Sequence, residues 1–369
     1  MNPPVNQTPP PIKVGRWTSA IGLIGVGVIV LLQFNNIISS EALKYVWPML
    51  LILLGVEVVI ANIIHSERRV RLGGFSVTIL ILLLLVSTVQ TVLPDLSSLF
   101  NRGYVSAVQG QTEIGSGIKR VEIMVDHGKV NVTGTEDAKL AYDGKFRFRD
   151  AKNQEDADRK AKERWKVNPS GDTLVLSLED NPEILFQIGF FPDEEYVNVS
   201  VPKSLEVKVR TKNDSVTGKQ LDAGFTALTT NSSIALEQVK GNVSASTTNG
   251  AVRVADIGGS AQLKSTNGSL TIDRVAGEVT AKTTNGAIRG ASAIGGDWTC
   301  SSTNGSINLK VPENASAEIK AKTSNSSIGG GIAWAEDGGD NRKRAVIGDG
   351  SHHVELTTSN GSINVNYEN

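Results

Sequence analysis

Residues 247–266 read Thr247-Thr248-Asn249-Gly250-Ala251-Val252-Arg253-Val254-Ala255-Asp256-Ile257-Gly258-Gly259-Ser260-Ala261-Gln262-Leu263-Lys264-Ser265-Thr266, and the last two residues open the same pattern again. The signature recurs at Thr229-Thr230-Asn231, Ser265-Thr266-Asn267, Thr283-Thr284-Asn285, Ser302-Thr303-Asn304, Thr323-Ser324-Asn325 and Thr358-Ser359-Asn360, with Thr211-Lys212-Asn213 as a degenerate first copy. From Asn231 the Asn-to-Asn steps are 18, 18, 18, 19, 21 and 35. Three and five residues after the Asn stand apolar side chains: Ile234/Leu236, Val252/Val254, Leu270/Ile272 and Ile307/Leu309. Six and four residues before it stand Val243/Ala245, Ala261/Leu263, Val279/Ala281 and Ile319/Ala321. Alternation with period two marks half-buried strands. Gly turns separate the two strands of each unit, as at Ile257-Gly258-Gly259 and Ile294-Gly295-Gly296. A unit this short cannot close a core alone, so successive units must stack. The expected fold is a parallel β-solenoid of roughly 18-residue, two-strand coils over 211–369, a rod on the order of 40 Å long at about 4.8 Å per coil.

The repeated Asn213, Asn231, Asn249, Asn267, Asn285, Asn304, Asn325 and Asn360 are the structural markers of the coil. Inward parity changes across each Asn, so the turn holds one extra residue. This places the Asn side chain inward, stacked in an amide ladder, with the Ser/Thr two positions earlier forming a parallel hydroxyl ladder. Asp214, Ser232 and Ser326 replace the following Gly in some coils, which makes Asn itself the expected left-handed residue.

Upstream, 118–210 carries a less regular alternation, as in Val121-Glu122-Ile123-Met124-Val125 and Val197-Asn198-Val199-Ser200-Val201. The charged segment 150–166 has Glu155/Arg159, Asp156/Lys160 and Asp158/Lys162 at i,i+4 spacing and reads as a solvated helical insertion. The apolar stretch Ile184–Phe191 reads as a cap on the open first coil, since a bare solenoid end would polymerise, with a contact to the membrane or a partner as the alternative. The segment 335–350 reads as a loop leaving the rod, and 95–117 as a linker.

The N-terminal part is of another kind. Residues 1–13 form a Pro-rich tail, and 14–94 hold three apolar runs at 17–34, 46–64 and 75–93, each about the length of a bilayer-spanning helix. Lys13 and Arg16 before the first run, and Arg68, Arg69 and Arg71 between the second and third, place the N-terminus in the cytoplasm and everything after Leu93 outside. Gly22, Gly25 and Gly27 sit inside an apolar helix and read as helix-packing positions rather than a nucleotide loop. Glu57, near the middle of the second run, is the candidate intramembrane residue. It is either a functional carboxylate or a protonated group hydrogen-bonded to a neighbouring helix.

Little else carries chemistry. The formal charge is −1, which gives no field favouring nucleic acid, and Cys300 is the sole cysteine. No zinc spacing, nucleophile elbow, phosphate loop or calcium loop stands in the chain, so the reading has no catalytic residue, metal or cofactor. Cys300 falls in the inward column of Ala245, Leu263, Ala281 and Ala321 and reads as a small core residue.

Trp47-Pro48-Met49-Leu50-Leu51-Ile52-Leu53-Leu54-Gly55 resembles the transmembrane region of LiaI/LiaF-type envelope proteins of Gram-positive bacteria, and the coils from about 115 onward resemble the bacterial adhesin-type β-solenoid domain of unknown function. The resemblance implies an envelope protein linked to adhesion or to stress signalling. The leading reading is a non-enzymatic, membrane-anchored envelope module, adhesin-like or scaffolding, whose partners are the membrane and a cell-wall glycan or envelope protein. The alternative is a stress-response regulator acting through a membrane sensor kinase. A glycan-cleaving enzyme is the third reading.

Overall fold

The computed structural model describes residues 12–34, 46–64, 70–72, 77, 103–179, 195–336, 339 and 341–368. They fall into two compact units, divided at Gly103. The third apolar run, apart from Val77, the stretch Ile184–Phe191 and the tail before Ile12 lie outside the described residues.

In the first unit, helix α1 (Arg16–Phe34) and helix α2 (Val46–Ile64) each run 19 residues and coincide with the first two apolar runs. Among the described residues no helix, α1 and α2 included, is long and apolar enough to cross a membrane. Ile12–Val14, partly within the expected tail, pairs in parallel with Val70–Leu72. Gly22 lies against Leu50 of α2, where an added Cβ would come within 2.5 Å of Leu50 Cδ2, while Gly25 has no such neighbour among the described residues. Close helix packing therefore accounts for Gly22.

Among the described residues the second unit is built of two sheets, of 13 and 12 strands. Each coil contributes one strand to each sheet, in parallel and in register with the coil one repeat away: Ile234, Val252, Leu270, Ile288 and Ile307 form one column. Across the core, Phe225, Val243, Ala261, Val279 and Trp298 form another. Both columns are buried, and intervening residues such as Arg253 and Gln262 are exposed. Side-chain volume is balanced across the gap. Phe225 fills the space left by inward Gly218, and the Trp298 indole that left by Gly290, where a Cβ would lie 2.4 Å and 3.1 Å from the respective rings. Cys300 is buried in register with Ala281 and Leu356, and burial pushes its thiol up to about 12, so it behaves as an apolar filler.

The stack does not follow chain order at either end. The coil of Arg120–Met124 and Lys129–Thr135 lies between that of Thr173–Leu178 and Tyr196–Pro202 and that of Glu206–Arg210 and Val216–Leu221. At the other end, His352–Thr358 slots between Trp298–Ser302 and Ala317–Lys322. Its partner Ile363–Tyr367 slots likewise between Ile307–Val311 and Ile328–Gly329. The 35-residue step in the repeat arises here: the chain skips a level, turns round and returns to fill it.

That turn corrects the reading of 335–350 as a departing loop. Arg342–Ile347 is a strand that pairs antiparallel with Ala317–Lys322, and Ala335–Glu336 pairs with it in turn. The 95–117 segment is likewise more than a linker, since Tyr104–Glu113 pairs antiparallel along Lys139–Phe148. Trp165–Ser170 closes the other sheet, antiparallel to Thr173–Leu178. Antiparallel strands thus end three of the four sheet edges, which would otherwise offer free backbone groups to a second chain, while the fourth ends in the two-residue parallel strand Ile328–Gly329.

The charged segment 150–166 holds helix α3, Gln154–Arg164, whereas Trp165 already belongs to the next strand. It is not solvated all round: Asp156, Ala157 and Ala161 are buried. It covers the outermost strand, where Gln154 Nε2 donates to the Val105 carbonyl (2.9 Å) and the Ser106 hydroxyl donates to Asp158 (2.7 Å). Asp150 anchors its far end, paired with Arg164 and with Lys160 (2.8 Å). Burial alone would raise the Asp150 carboxyl, but the hydrogen bonds from Arg164 and Lys160 outweigh it and hold the group at about 2. A depressed carboxylate contributes stability above its unfolded value, near 4, and loses it as pH falls towards 2. We therefore expect Asp150→Asn to cost about 2 kcal/mol at pH 7 and to flatten the loss of stability between about pH 4 and 2, measured by urea denaturation across that range.

Candidate functional site

The repeat signature forms one corner of the stack, and three side-chain columns there do three different jobs. The Ser/Thr two positions before each Asn is buried at Thr229, Thr247, Ser265, Thr283, Ser302, Thr323 and Thr358. It does not stack hydroxyl on hydroxyl as the pattern suggested. In the inner coils each hydroxyl accepts from the Gly N–H three residues on and donates to a carbonyl of the adjacent coil. Gly268 N–H donates to Ser265 at 2.9 Å, for example, and Ser265 donates to the Gly250 carbonyl at 2.9 Å. The same bridge recurs at Thr247, Thr283, Ser302 and Thr358. Two buried backbone groups are satisfied per coil.

The asparagines are exposed, not inward. Thr248 and Asn249 both face solvent and Gly250 takes the inward place, so the extra residue of the turn is absorbed on the outside. Nor is Asn left-handed: among the described residues the non-Gly positions at positive φ are Gln220, Gln238, Asp256 and Arg274, at the opposite corner of the coil. The amide ladder itself is present. Nδ2 of Asn231 donates to Oδ1 of Asn213 at 2.8 Å, and the chain of bonds continues through Asn249, Asn267, Asn285 and Asn304. It then follows the stack rather than the sequence: Asn360 donates to Asn304 at 2.7 Å, and Asn325 to Asn360 at 2.6 Å. Asn213 Nδ2 meets His127 Nδ1 at 3.3 Å, which carries the column into the coil before it. Aligned amide dipoles strengthen one another along such a row. Asn267→Asp sets a carboxylate oxygen against Asn249 Oδ1 in place of a donor; we expect a loss of about 1–3 kcal/mol at pH 7, partly recovered below about pH 4, read by thermal denaturation.

The third column is the residue just before each Asn: Lys212 before Asn213, then Thr230, Thr248, Thr266, Thr284, Thr303, Ser359 and Ser324. Apart from half-buried Ser359, these are exposed. Each Asn spends one N–H and one lone pair on the ladder and keeps one of each outward. The corner is thus a straight ribbon of hydroxyls and amides repeating about every 4.8 Å. Sequence reading singled out the asparagines but gave them the wrong direction. The adjoining threonines, which lie beside them on the surface, carry no sequence signal beyond the repeated signature.

Elsewhere the chemistry is self-contained. A polar recess of about 380 Å³ on the opposite corner is lined by Glu136, Lys203, Asp222 and Lys240 among others. Its charges neutralise one another, Lys203 with Glu136 and Asp222, and Lys240 with Asp222. Among the described residues no three His, Cys, Asp or Glu side chains come together as a metal-holding group. In the first unit, Glu57 accepts from the backbone N–H of Gly15 (2.7 Å) and Thr18 (2.9 Å) and from the Thr18 hydroxyl (2.6 Å), and so ties α2 to the start of α1.

Two parallel sheets built from a tandem repeat define the second unit as a β-solenoid. The chain belongs to the Toastrack DUF4097 family, whose model matches residues 118–366. Among solved structures, one similar chain is described as a putative cell adhesion protein from Clostridium sporogenes ATCC 15579, at 12% identity and TM-score 0.28, covering 71% of this chain and 100% of the other. Another is a putative adhesin from Bacteroides fragilis NCTC 9343, at 12% identity and TM-score 0.33, covering 71% of this chain and 97% of the other. No curated protein matches.

Proposed function

We propose that the protein is a non-enzymatic, membrane-anchored module displayed on the outer side of the cytoplasmic membrane, with its solenoid as an adhesin-like or scaffolding surface of the cell envelope. The ribbon carries this reading. A row of identical, weak, amphoteric groups suits an extended polymer better than a small molecule, because many weak contacts along one line add up. A catalytic centre would instead need a few dissimilar groups converging on one point. The anchoring rests on the sequence alone, on its three apolar runs of about the length of a bilayer-spanning helix. The orientation rests on the basic residues between the runs.

The test is co-sedimentation of the full-length protein, in neutral detergent, with purified cell-wall sacculi. Thr248→Val, Thr266→Val and Thr284→Val together remove three exposed hydroxyls and leave the ladder and core untouched. Wild type pelleting with the sacculi and the triple variant staying largely in solution is the expected result. Equal distribution of the two proteins overturns the ribbon as the binding surface.

A further inference from the structure

One outward column of the larger sheet runs, strand by strand, Arg210, Leu228, Ser246, Lys264, Lys282, Ser301, Thr357, Lys322 and Arg342. No carboxylate interrupts it. Successive strands lie about 4.8 Å apart, so the column extends roughly 38 Å. Arg210 is tied to Glu122 at 3.2 Å. Lys264, Lys282, Lys322 and Arg342 are exposed, and no ion pair holds any of them among the described residues. Lys264 faces Lys282 directly across the ladder, and Lys322 faces Arg342. Like charges placed opposite one another weaken a sheet, and folding supplies no reason for two such pairs in one line.

The neighbouring columns add hydroxyls and amides rather than acids. On one side is the ribbon of Thr266 and Thr284. On the other are Thr226, Ser244, Gln262, Thr280 and Thr299, with Glu355 the first acid along it. The smaller sheet differs: its outward residues mix signs, Lys219 opposite Glu237 and Arg253 beside Asp273. Since the whole chain carries a formal charge of only −1, the basic line is a local arrangement and not a consequence of composition.

We infer that this column binds a linear, hydroxyl-rich polyanion of the envelope, laid along the stack with its anionic groups on the Lys264–Arg342 line. The inference deepens the adhesin-like reading and rests on it. Charge complementarity selects an anion. The width of a single residue, flanked by hydrogen-bonding columns, selects a thread rather than a membrane surface. A polyol phosphate and a polyuronate share this chemistry.

The experiment measures binding of the full-length protein in neutral detergent to polyglycerol phosphate, polygalacturonate, neutral dextran and duplex DNA over a range of salt. The proteins compared are wild type, Lys264→Gln/Lys282→Gln/Lys322→Gln, and a control, Lys219→Gln/Lys310→Gln, on the opposite sheet. We expect at least one polyanion to bind wild type and control alike, and the stripe variant to bind about tenfold more weakly. Its slope of log affinity against log salt should be shallower by roughly two. Which of the two polyanions binds more tightly identifies the source. Stripe-variant affinity equal to that of the control overturns the inference, as does failure of both polyanions to bind, or duplex DNA binding as tightly as either. If sacculi still pellet the wild type in that case, the adhesin-like reading stands and only the basic line is wrong. If sacculi fail as well, both fall.

Discussion

Gly268→Ala should unfold the middle of the stack, at a cost above about 3 kcal/mol. The added Cβ would lie 1.7 Å from the Gly250 carbonyl oxygen and 2.3 Å from its carbon. Those atoms are backbone held by the interstrand ladder and cannot turn aside like the tip of a side chain. Gly250, Gly286, Gly305 and Gly361 are equally crowded, each with a backbone oxygen of the adjacent coil 1.7–2.2 Å from the Cβ position. None of these glycines has positive φ, so the requirement is for space and not for backbone freedom. Asp214, Ser232 and Ser326, the side chains that the column does accept, stand towards its two ends. Gly115→Ala, where a Cβ would meet nothing within 4 Å, is the control and should stay within about 0.5 kcal/mol of wild type. Thermal denaturation followed by far-ultraviolet circular dichroism compares them. A Gly268→Ala variant melting with the Gly115→Ala control would refute the crowding argument.

Ending the chain after Ser351 should destroy far more than one coil. A solenoid stacked in chain order would lose only its last coil and re-expose the face beneath it. Here the missing residues are an interior coil. Without them Trp298–Ser302 and Ala317–Lys322 lose the strand that pairs with both. Val354, Leu356, Ile363 and Val365, all at most 1% exposed, leave the core together. At about 1.5–3 kcal/mol for each buried aliphatic side chain, the loss approaches the whole stability of a typical domain. Hydrogen exchange is the measurement. Amides of 307–329 should exchange as if unstructured in the truncated chain, while those of 234–275 keep measurable protection. Protection of 317–322 at the wild-type level would mean that the preceding coils close up without the final one.

The two predictions divide along the line between local pattern and tertiary arrangement. Period-two alternation around Val252/Val254 and Val243/Ala245 made the strands, the tight turns and the inward columns legible, because an 18-residue unit with two apolar edges has only stacking available to it. The inward place of Cys300 followed from the same count. The Asn column was legible as a ladder because one amide side chain recurs at one place in every coil.

Other features were not legible. Sequence parity says that a turn gains a residue but not on which side of the wall the residue lies. The answer depended on the Gly250 carbonyl and its counterparts, which exclude a side chain from the inward place and leave Asn outside. The left-handed residues Gln238 and Asp256 carry no Gly to mark them. The basic line is invisible along the chain, where Lys264, Lys282, Lys322 and Arg342 are scattered among acids, and it appears only when strands are laid in register. Chain order at the ends was decided by closure. A parallel ladder must end somewhere, and three of its four edges are finished by strands that reverse direction, with the last coil returning to fill a level already passed. Residue type and spacing thus determined a repeating two-strand coil and its inward-facing columns. Tertiary structure alone decided the order of the coils, the outward turn of the asparagines and the single sign of charge along one face, because each depends on contacts between residues that sequence separation does not rank.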